Sequence, residues 1–303
     1  VEASATIANF GPGYDTFGLC LDKPVDVIEM DILEKSGIHL EVAEEGYSSP
    51  ADPEHNTASV AAKEMMRLAG ISVDAVGLEL KLLKGVRPGS GLGSSASSAV
   101  AGAFGAATLF DVSDQRKILM AAAHGEGIAS AAPHLDNISS CLLGGFTVVL
   151  DHEKYNILQI TPPDMKIVIC LPEIIIRTID ARMLIPKTLP INKTVFHVGW
   201  ASGIVHGLQT GDIKLVASCI RDEISVPARK ELVKGFEIAR SAALAAGALS
   251  FSMSGSGPAV FCLSLADHKA IGEAMVEGFA RANIQASYFI AKPGGGAKLI
   301  EAE

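Results

Sequence analysis

The sequence lacks the marks of several protein classes. No C-x-x-C pair occurs among Cys20, Cys141, Cys170, Cys219 and Cys262, so neither a zinc knuckle nor a dithiol redox motif is expected. Most of these cysteines lie in apolar runs and their number is odd, which points to buried thiols in a reducing, cytoplasmic setting. No run of roughly 18 apolar residues occurs, so a membrane span is not expected. The first residues carry neither the basic n-region nor the apolar h-region of a signal peptide. The chain opens at Val1 without Met, and a few upstream residues are expected. Basic runs interleaved with aromatics are missing and the net charge is -9, which argues against nucleic acid and anionic membranes as partners.

What remains is ample for a core. The 303 residues are 49% hydrophobic, enough for one large domain or two packed ones. Val1–Ala8, Asp26–Glu34, Gly37–Ala43 and Val76–Leu83 read as strands. Asn56 can cap a helix through about Gly70, and Ser113 or Asp114 another toward Ala132. Leu142–Asp151 and Tyr155–Thr161 read as further strands, after which Pro162-Pro163 marks a boundary. Two lobes are expected, 1–161 and 162–303. Beyond the boundary, Lys166–Leu171, Leu249–Met253, Ala259–Leu265 and Ala286–Ala291 read as strands. Helices fill Thr178 to Gly247 and about Asp267–Ala282. The order is β-α-β-β-α-β, the ferredoxin-like order, within an α+β class.

The segment richest in chemistry is Pro88-Gly89-Ser90-Gly91-Leu92-Gly93-Ser94-Ser95. It joins a strand to a helix of mostly Ser and Ala. No Lys follows Gly93, which excludes a Walker A loop. The alternation of Gly89, Gly91 and Gly93 is not the dinucleotide spacing, and no acidic residue closes a following strand at the right distance, so a nicotinamide dehydrogenase is excluded. Such a loop can hold phosphate with backbone N–H groups and the helix N-terminus. A plain turn with a serine-capped helix is the simpler alternative. Glu126 lies in a weakly charged helical stretch. It is either solvated, paired or a Mg²⁺ ligand, because an unpaired buried carboxylate is costly. Asn56 reads by propensity as an N-cap, and Asn9 as part of an Asx turn.

Pro88–Ser97 resembles the phosphate-loop motif of the GHMP small-molecule kinases. Ala8–Gly18, His134-Leu135-Asp136-Asn137, the stretch Thr178 to Arg182, Val226-Pro227-Ala228-Arg229 and Ser252–Pro258 resemble motifs of the homoserine kinase family within that superfamily. The resemblance runs over essentially the whole chain. It implies a two-lobed GHMP kinase fold, with a ribosomal protein S5 domain 2-like N-terminal lobe and a ferredoxin-like C-terminal lobe. An unusual left-handed crossover is implied in the first lobe.

By the same resemblance the chain would be a cytoplasmic, homodimeric enzyme of threonine biosynthesis. It would pass the γ-phosphoryl group of ATP to the side-chain hydroxyl of L-homoserine. Pro88, Gly89, Ser90, Gly91, Leu92, Gly93, Ser94 and Ser95 would hold the phosphates, with Asn56 near adenine. Ser95 and Glu126 would hold Mg²⁺, with Ser94 competing for the hydroxyl role. Arg182 and Arg229 would take the substrate carboxylate. Asn9, Asp15, His134, Asp136 and Thr178 would complete the substrate site, and Asn137 would lie near the reacting hydroxyl. Ser95, Glu126, Asn137 and Arg182 form the implied catalytic set. Four positions depart from the family pattern: Tyr14, Pro133, Arg177 and Val226. Another GHMP kinase, such as one acting on mevalonate, and a non-catalytic binding protein remain as alternatives.

Overall fold

The computed structural model describes residues 1–129 and 132–300, leaving aside the side chains of Glu44 and Thr178. The first sheet holds six strands: β1 (Glu2–Ala8), β2 (Phe17–Leu33), β3 (Ile38–Gly46), β4 (Gly77–Lys84), β5 (Phe146–Asp151) and β6 (Asn156–Ile160). Their order is β3-β4-β2-β5-β6, with β1 on β2. Among the described residues only β3 and β4 pair in parallel, and α1 (Thr57–Leu68) makes the crossover between them. In β4 the leucines Leu78, Leu80 and Leu82 face inward while Glu79 and Lys81 face out, as the alternation requires.

Over this sheet lie α1, α2 (Ser94–Leu109), α3 (Gln115–Gly127) and α4 (Leu135–Leu143). Most of α2 is buried, and its small residues let backbones approach. A Cβ on Gly102 would stand 2.1 Å from the Ala58 carbonyl oxygen, so only glycine permits this crossing of α1 and α2. Asp114, rather than Ser113, caps α3: its Oδ1 accepts from Arg116 N at 3.0 Å and Lys117 N at 3.3 Å. The helix ends at Gly127, short of the expected Ala132.

The second sheet holds β7 (Ile167–Pro172), β8 (Ser252–Met253), β9 (Val260–Leu263) and β10 (Ala286–Ala291), in the order β10-β7-β9-β8. Between β7 and β8 come α5 (Thr178–Met183), α6 (Ile191–Thr210), α7 (Ile213–Cys219), α8 (Ser225–Arg229) and α9 (Phe236–Ala245); α10 (His268–Ala280) joins β9 to β10. With α5–α9 taken as one crossover, this is the ferredoxin-like order. The segment after β10 returns to the first sheet, where Pro293 bridges Leu21 and Lys298 bridges Glu2.

Phe10 joins the two sheets. Its ring meets Phe146 of β5 edge-on at 5.5 Å and stacks on Phe261 of β9 at 5.3 Å, each pair contributing about 0.5–1.5 kcal/mol beyond burial. The loop after β1 is thereby fixed between the sheets. The five cysteines are free and buried, and burial pushes Cys170 and Cys262 up to about 12. Among the described residues no helix is long and apolar enough to cross a membrane.

Candidate active site

A cavity of about 460 Å³ opens between the sheets. The phosphate loop forms one wall. Gly89, Gly91 and Gly93 all have positive φ, and Gly93 is the N-cap of α2. Alternate left-handed glycines turn successive backbone N–H groups toward one side, the geometry of an anion nest. The third glycine motif supports this loop. Ser254 Oγ donates to Gly91 O at 2.7 Å, and Ala259 N donates to Ser90 O at 2.9 Å. Pro88, Gly89, Gly91, Gly93, Ser94 and Ser95 line the cavity. Ser90 and Leu92 are buried behind it.

A Cβ at Gly93 would lie 2.1 Å from Thr6 Oγ1 and 2.9 Å from Asn137 Oδ1, at a φ of +70°. Gly93→Ala is therefore expected to lose about 1–3 kcal/mol of stability and to weaken anion binding in the nest at least roughly tenfold. Thermal melts and titration with a polyphosphate check both.

The two serines at the start of α2 have different partners. Ser94 Oγ donates to Val86 O at 2.8 Å, whereas Ser95 Oγ donates to Glu126 Oε1 at 3.1 Å. Glu126 comes from α3, is 1% exposed and also accepts from His134: Oε2 from the backbone N at 2.6 Å, and Oε1 faces Nδ1 at 3.2 Å. Among the described residues no group of three or more His, Cys, Asp or Glu could hold a metal ion. A single carboxylate beside a hydroxyl fits Mg²⁺, which usually takes one or two protein oxygens and completes its shell with phosphate and water.

At the other end, Arg182 Nη2 donates to Asp15 Oδ2 at 2.8 Å, and Arg182 Nη1 meets His134 Nε2 at 3.2 Å. Ser95, Glu126, His134, Arg182 and Asp15 thus form one continuous chain of polar contacts. Burial opposes a charged His134, but the Glu126 hydrogen bond and the carboxylates of Glu126, Asp136 and Asp15 outweigh it and lift its pKa to about 9. The Arg182 contact pulls the other way, since accepting from a guanidinium requires a neutral ring.

Arg229 is 4% exposed. Its Nε donates to Ala181 O at 3.0 Å and its Nη1 to Gly255 O at 3.1 Å, with the guanidinium 5.6 Å from the Tyr14 ring centroid. Burial lowers its pKa. Asn9 Nδ2 donates to the same Gly255 carbonyl at 3.2 Å, and Asn9 Oδ1 accepts from Asp15 N at 3.1 Å. Asn9, Phe10 and Asp15 all have positive φ, a concentration of uncommon backbone conformations that typically marks a functional loop.

His134 caps α4, and Asp136 and Asn137 lie in its first turn. Asn137 Oδ1 accepts from Thr6 Oγ1 at 2.6 Å. Burial raises Asp136 to about 7 from 3.8, with Asp15 adding to the rise; the His134 charge and the Asn137 N–H oppose it. A carboxyl whose pKa is raised on folding stabilises the chain most below 3.8, and that contribution fades as pH climbs through about 7. Stability is accordingly expected to fall across that window, and Asp136→Asn to flatten the slope in thermal melts.

Asn56 is buried and does not line the cavity. Its Oδ1 accepts from Ala58 N at 3.0 Å, and its Nδ2 donates to Ser49 Oγ at 3.1 Å and Pro50 O at 2.8 Å. It shapes the neighbouring wall of Ser48, Ser49, Pro50 and Thr57. Thr178 opens α5, but its side chain lies outside the described residues.

Two further groups at the site have no local signature in sequence. Lys84, which lines the cavity, is paired with Asp26, and both are buried. His197 of α6 faces Pro12 O through Nδ1 at 2.9 Å and accepts from Glu223 N through Nε2 at 3.0 Å. It thereby ties the Asn9–Asp15 loop to the segment leading into α8. Its only sequence signal is a histidine in a largely apolar helix.

Residues 56–145 match the GHMP kinases N terminal domain, and residues 204–281 match the GHMP kinases C terminal family. The homoserine kinase of Pyrococcus abyssi is 39% identical over 98% of both chains, and that of Pyrococcus horikoshii 41% over 98% of both. The crystal structure of homoserine kinase from Cytophaga hutchinsonii superposes with a TM-score of 0.89 at 34% identity, covering 97% of this chain and 94% of that one. The L. major mevalonate kinase structure, at 15% identity and a TM-score of 0.72, shares the fold. With family matches in both lobes and full-length relatives, the chain belongs to the GHMP kinases and, among them, to the homoserine kinase family.

Proposed function

We propose that this protein transfers the γ-phosphoryl group of ATP to the side-chain hydroxyl of L-homoserine, giving O-phospho-L-homoserine and ADP. The observation that carries the reading is the pairing of two unlike ends in one cavity. The glycine loop with Ser95 and Glu126 stands at one end, and the Asp15–Arg182 pair with Arg229 at the other. The first suits a polyphosphate. The second suits a zwitterion, whose carboxylate is met by arginine forks and whose ammonium is met by Asp15 and Asp136. A mevalonate-type acceptor has no ammonium for those carboxylates to hold.

Phosphoryl transfer demands in-line positioning and charge stabilisation more than covalent help. Backbone N–H groups of Gly89–Ser95 would cradle the ATP phosphates, with adenine against the Ser48–Pro50 wall. Ser95 and Glu126 would hold Mg²⁺, which when bound neutralises phosphate charge. Arg182 and Arg229 would orient the acceptor carboxylate, and Asn9, His134 and Thr178 would complete its pocket. The hydroxyl oxygen forms the new bond to γ-phosphorus as the bond to the ADP oxygen breaks. Asn137 sits where a base would be sought, and an amide cannot take the proton. The hydroxyl proton therefore passes to an oxygen of the transferring phosphoryl group.

The same reading divides the chain into catalytic lobes 1–161 and 162–303, and makes the enzyme a cytoplasmic homodimer serving threonine biosynthesis. Phosphorus NMR of a reaction with ATP, Mg²⁺ and L-homoserine is expected to show a phosphate monoester growing as ADP forms. ADP with inorganic phosphate alone would contradict the transfer.

A further inference from the structure

The short helix α8 separates two cavities. Arg229 lines the first, while Val226, Pro227 and Lys230 line a second of about 550 Å³. Phe236 and Phe251 give this second cavity an apolar wall, their rings edge-to-face at 5.2 Å. Three cations, Arg221, Lys230 and Arg240, border it together with three carboxylates, Asp222, Glu223 and Glu237.

Those charges are equal in number but unevenly paired. Asp222 is engaged as a cap, accepting from Ile224 N at 2.6 Å, Ser225 N at 2.7 Å and the Ser225 hydroxyl. Glu223 pairs with Lys193, outside the cavity lining, at 3.2 Å. Glu237 is shared, by Lys230 at 2.9 Å and Arg240 at 3.4 Å. Arg221 has no carboxylate at ion-pair distance among the described residues. Its Nε donates to Ser218 O at 3.1 Å and its guanidinium lies 5.9 Å from the Trp200 ring centroid. Arg221 is thus a lining cation with no carboxylate partner among the described residues, and Lys230 and Arg240 share a single one, on a chain whose net charge is -9.

We propose that this cavity binds a small organic anion with an apolar or aromatic body, and that its occupant changes acceptor affinity through α8. The charged head is a carboxylate or phosphate group, met by Arg221 and Arg240, and the body packs on Phe236 and Phe251. The route to the first cavity is short. Arg229 is on the wall that Val226, Pro227 and Lys230 form, and His197 fastens Glu223 to the Asn9–Asp15 loop. The coupling half of the proposal rests on the acceptor assignment above; the binding half does not.

Benzoate and phenyl phosphate serve as the two probes. They are titrated calorimetrically into the full-length protein with a non-hydrolysable ATP analogue and L-homoserine in excess, so that the first cavity is filled. At least one probe is expected to bind saturably, which also identifies the head group. Arg221→Ala/Arg240→Ala should weaken binding roughly tenfold or more. Glu237→Gln, which removes the carboxylate that Lys230 and Arg240 share, should tighten it, a gain that misfolding does not produce. In kinetics the bound probe should shift the KM for L-homoserine with kcat little changed, and the double variant should lose that response. No saturable binding, or binding unchanged in both variants, overturns the site. Binding without a KM shift overturns the coupling. Binding in a protein that does not turn over L-homoserine leaves the site standing and refutes the acceptor assignment.

Discussion

Glu126→Gln is expected to lower kcat roughly 10²–10³-fold, the range for removing one preorganised electrostatic group. The carboxylate is buried and accepts from Ser95 Oγ, His134 N and the His134 ring. Glutamine keeps the volume and one acceptor oxygen. It loses the charge that would balance Mg²⁺, and it turns an N–H toward donors. The fold should survive, because α3 keeps its length and cap. Asn137→Ala should cost less, about tenfold, since its Oδ1 accepts from Thr6 Oγ1 at 2.6 Å and needs no charge. Glu126→Ala should likewise fall below Asn137→Ala in turnover at saturating substrates. The reverse ranking would assign Asn137 a proton-transfer role that its chemistry does not offer.

The largest effect on stability is expected at Asp26. Its side chain is 0% exposed and that of Lys84 is 3% exposed. Asp26 accepts from Lys84 Nζ, Ser98 Oγ at 2.7 Å, Gly85 N at 3.1 Å and Val86 N at 2.9 Å. Lys84 Nζ also donates to Ser94 O at 2.7 Å, so the pair secures both ends of the phosphate loop. Burial lowers the Lys84 pKa, and Asp26 pushes it back. Asp26→Ala leaves the ammonium buried without its counter-charge, a loss of about 3–5 kcal/mol. Asp26→Ala/Lys84→Met removes both charges and should recover a substantial part of it. Urea denaturation of the single and double variants measures the difference. A double variant as unstable as the single would show that the hydrogen bonds, rather than the stranded charge, carry the effect.

Much of this architecture is legible in the sequence where local physics decides it. The leucine alternation of β4, a helix cap at Ser113 or Asp114 and the glycine loop opening α2 each follow from neighbouring residues. The expected strand from Asp26 found only the second half of β2. Gly18-Leu19-Cys20-Leu21 is buried on both faces and so lacks the alternation that marks a half-exposed strand. Leu142 reads as the start of a strand, yet it lies in the last turn of α4, which ends at Leu143 before Gly144. Buried helix and buried strand are equally apolar, and periodicity does not separate them. The site shows the same division. Ser95 Oγ donates to Glu126 Oε1 at 3.1 Å, whereas the residues alone leave Glu126 solvated, paired or a metal ligand and only the resemblance sets it with Ser95 or Ser94. Asp15 with Arg182, 167 residues apart, and Asp26 with Lys84, 58 apart, are set by tertiary packing. The family resemblance implies that both residues of the first lie at the substrate site but does not pair them, and the second has no signal of its own. Asn56 shows how a single residue can satisfy local propensity and still shape a site, since its cap and its two amide bonds engage its side chain beside the cavity wall.

The central claim concerns which alcohol receives the phosphate. Steady-state ADP release with Mg²⁺-ATP should be compared for L-homoserine, 4-hydroxybutyrate, 3-amino-1-propanol and mevalonate. The first retains both charges, the next two lack the ammonium and the carboxylate in turn, and mevalonate is an acid without an amine. L-homoserine is expected to give the highest kcat/KM, with each missing charge costing roughly tenfold to a hundredfold. Higher kcat/KM for mevalonate or 4-hydroxybutyrate than for L-homoserine would contradict the account.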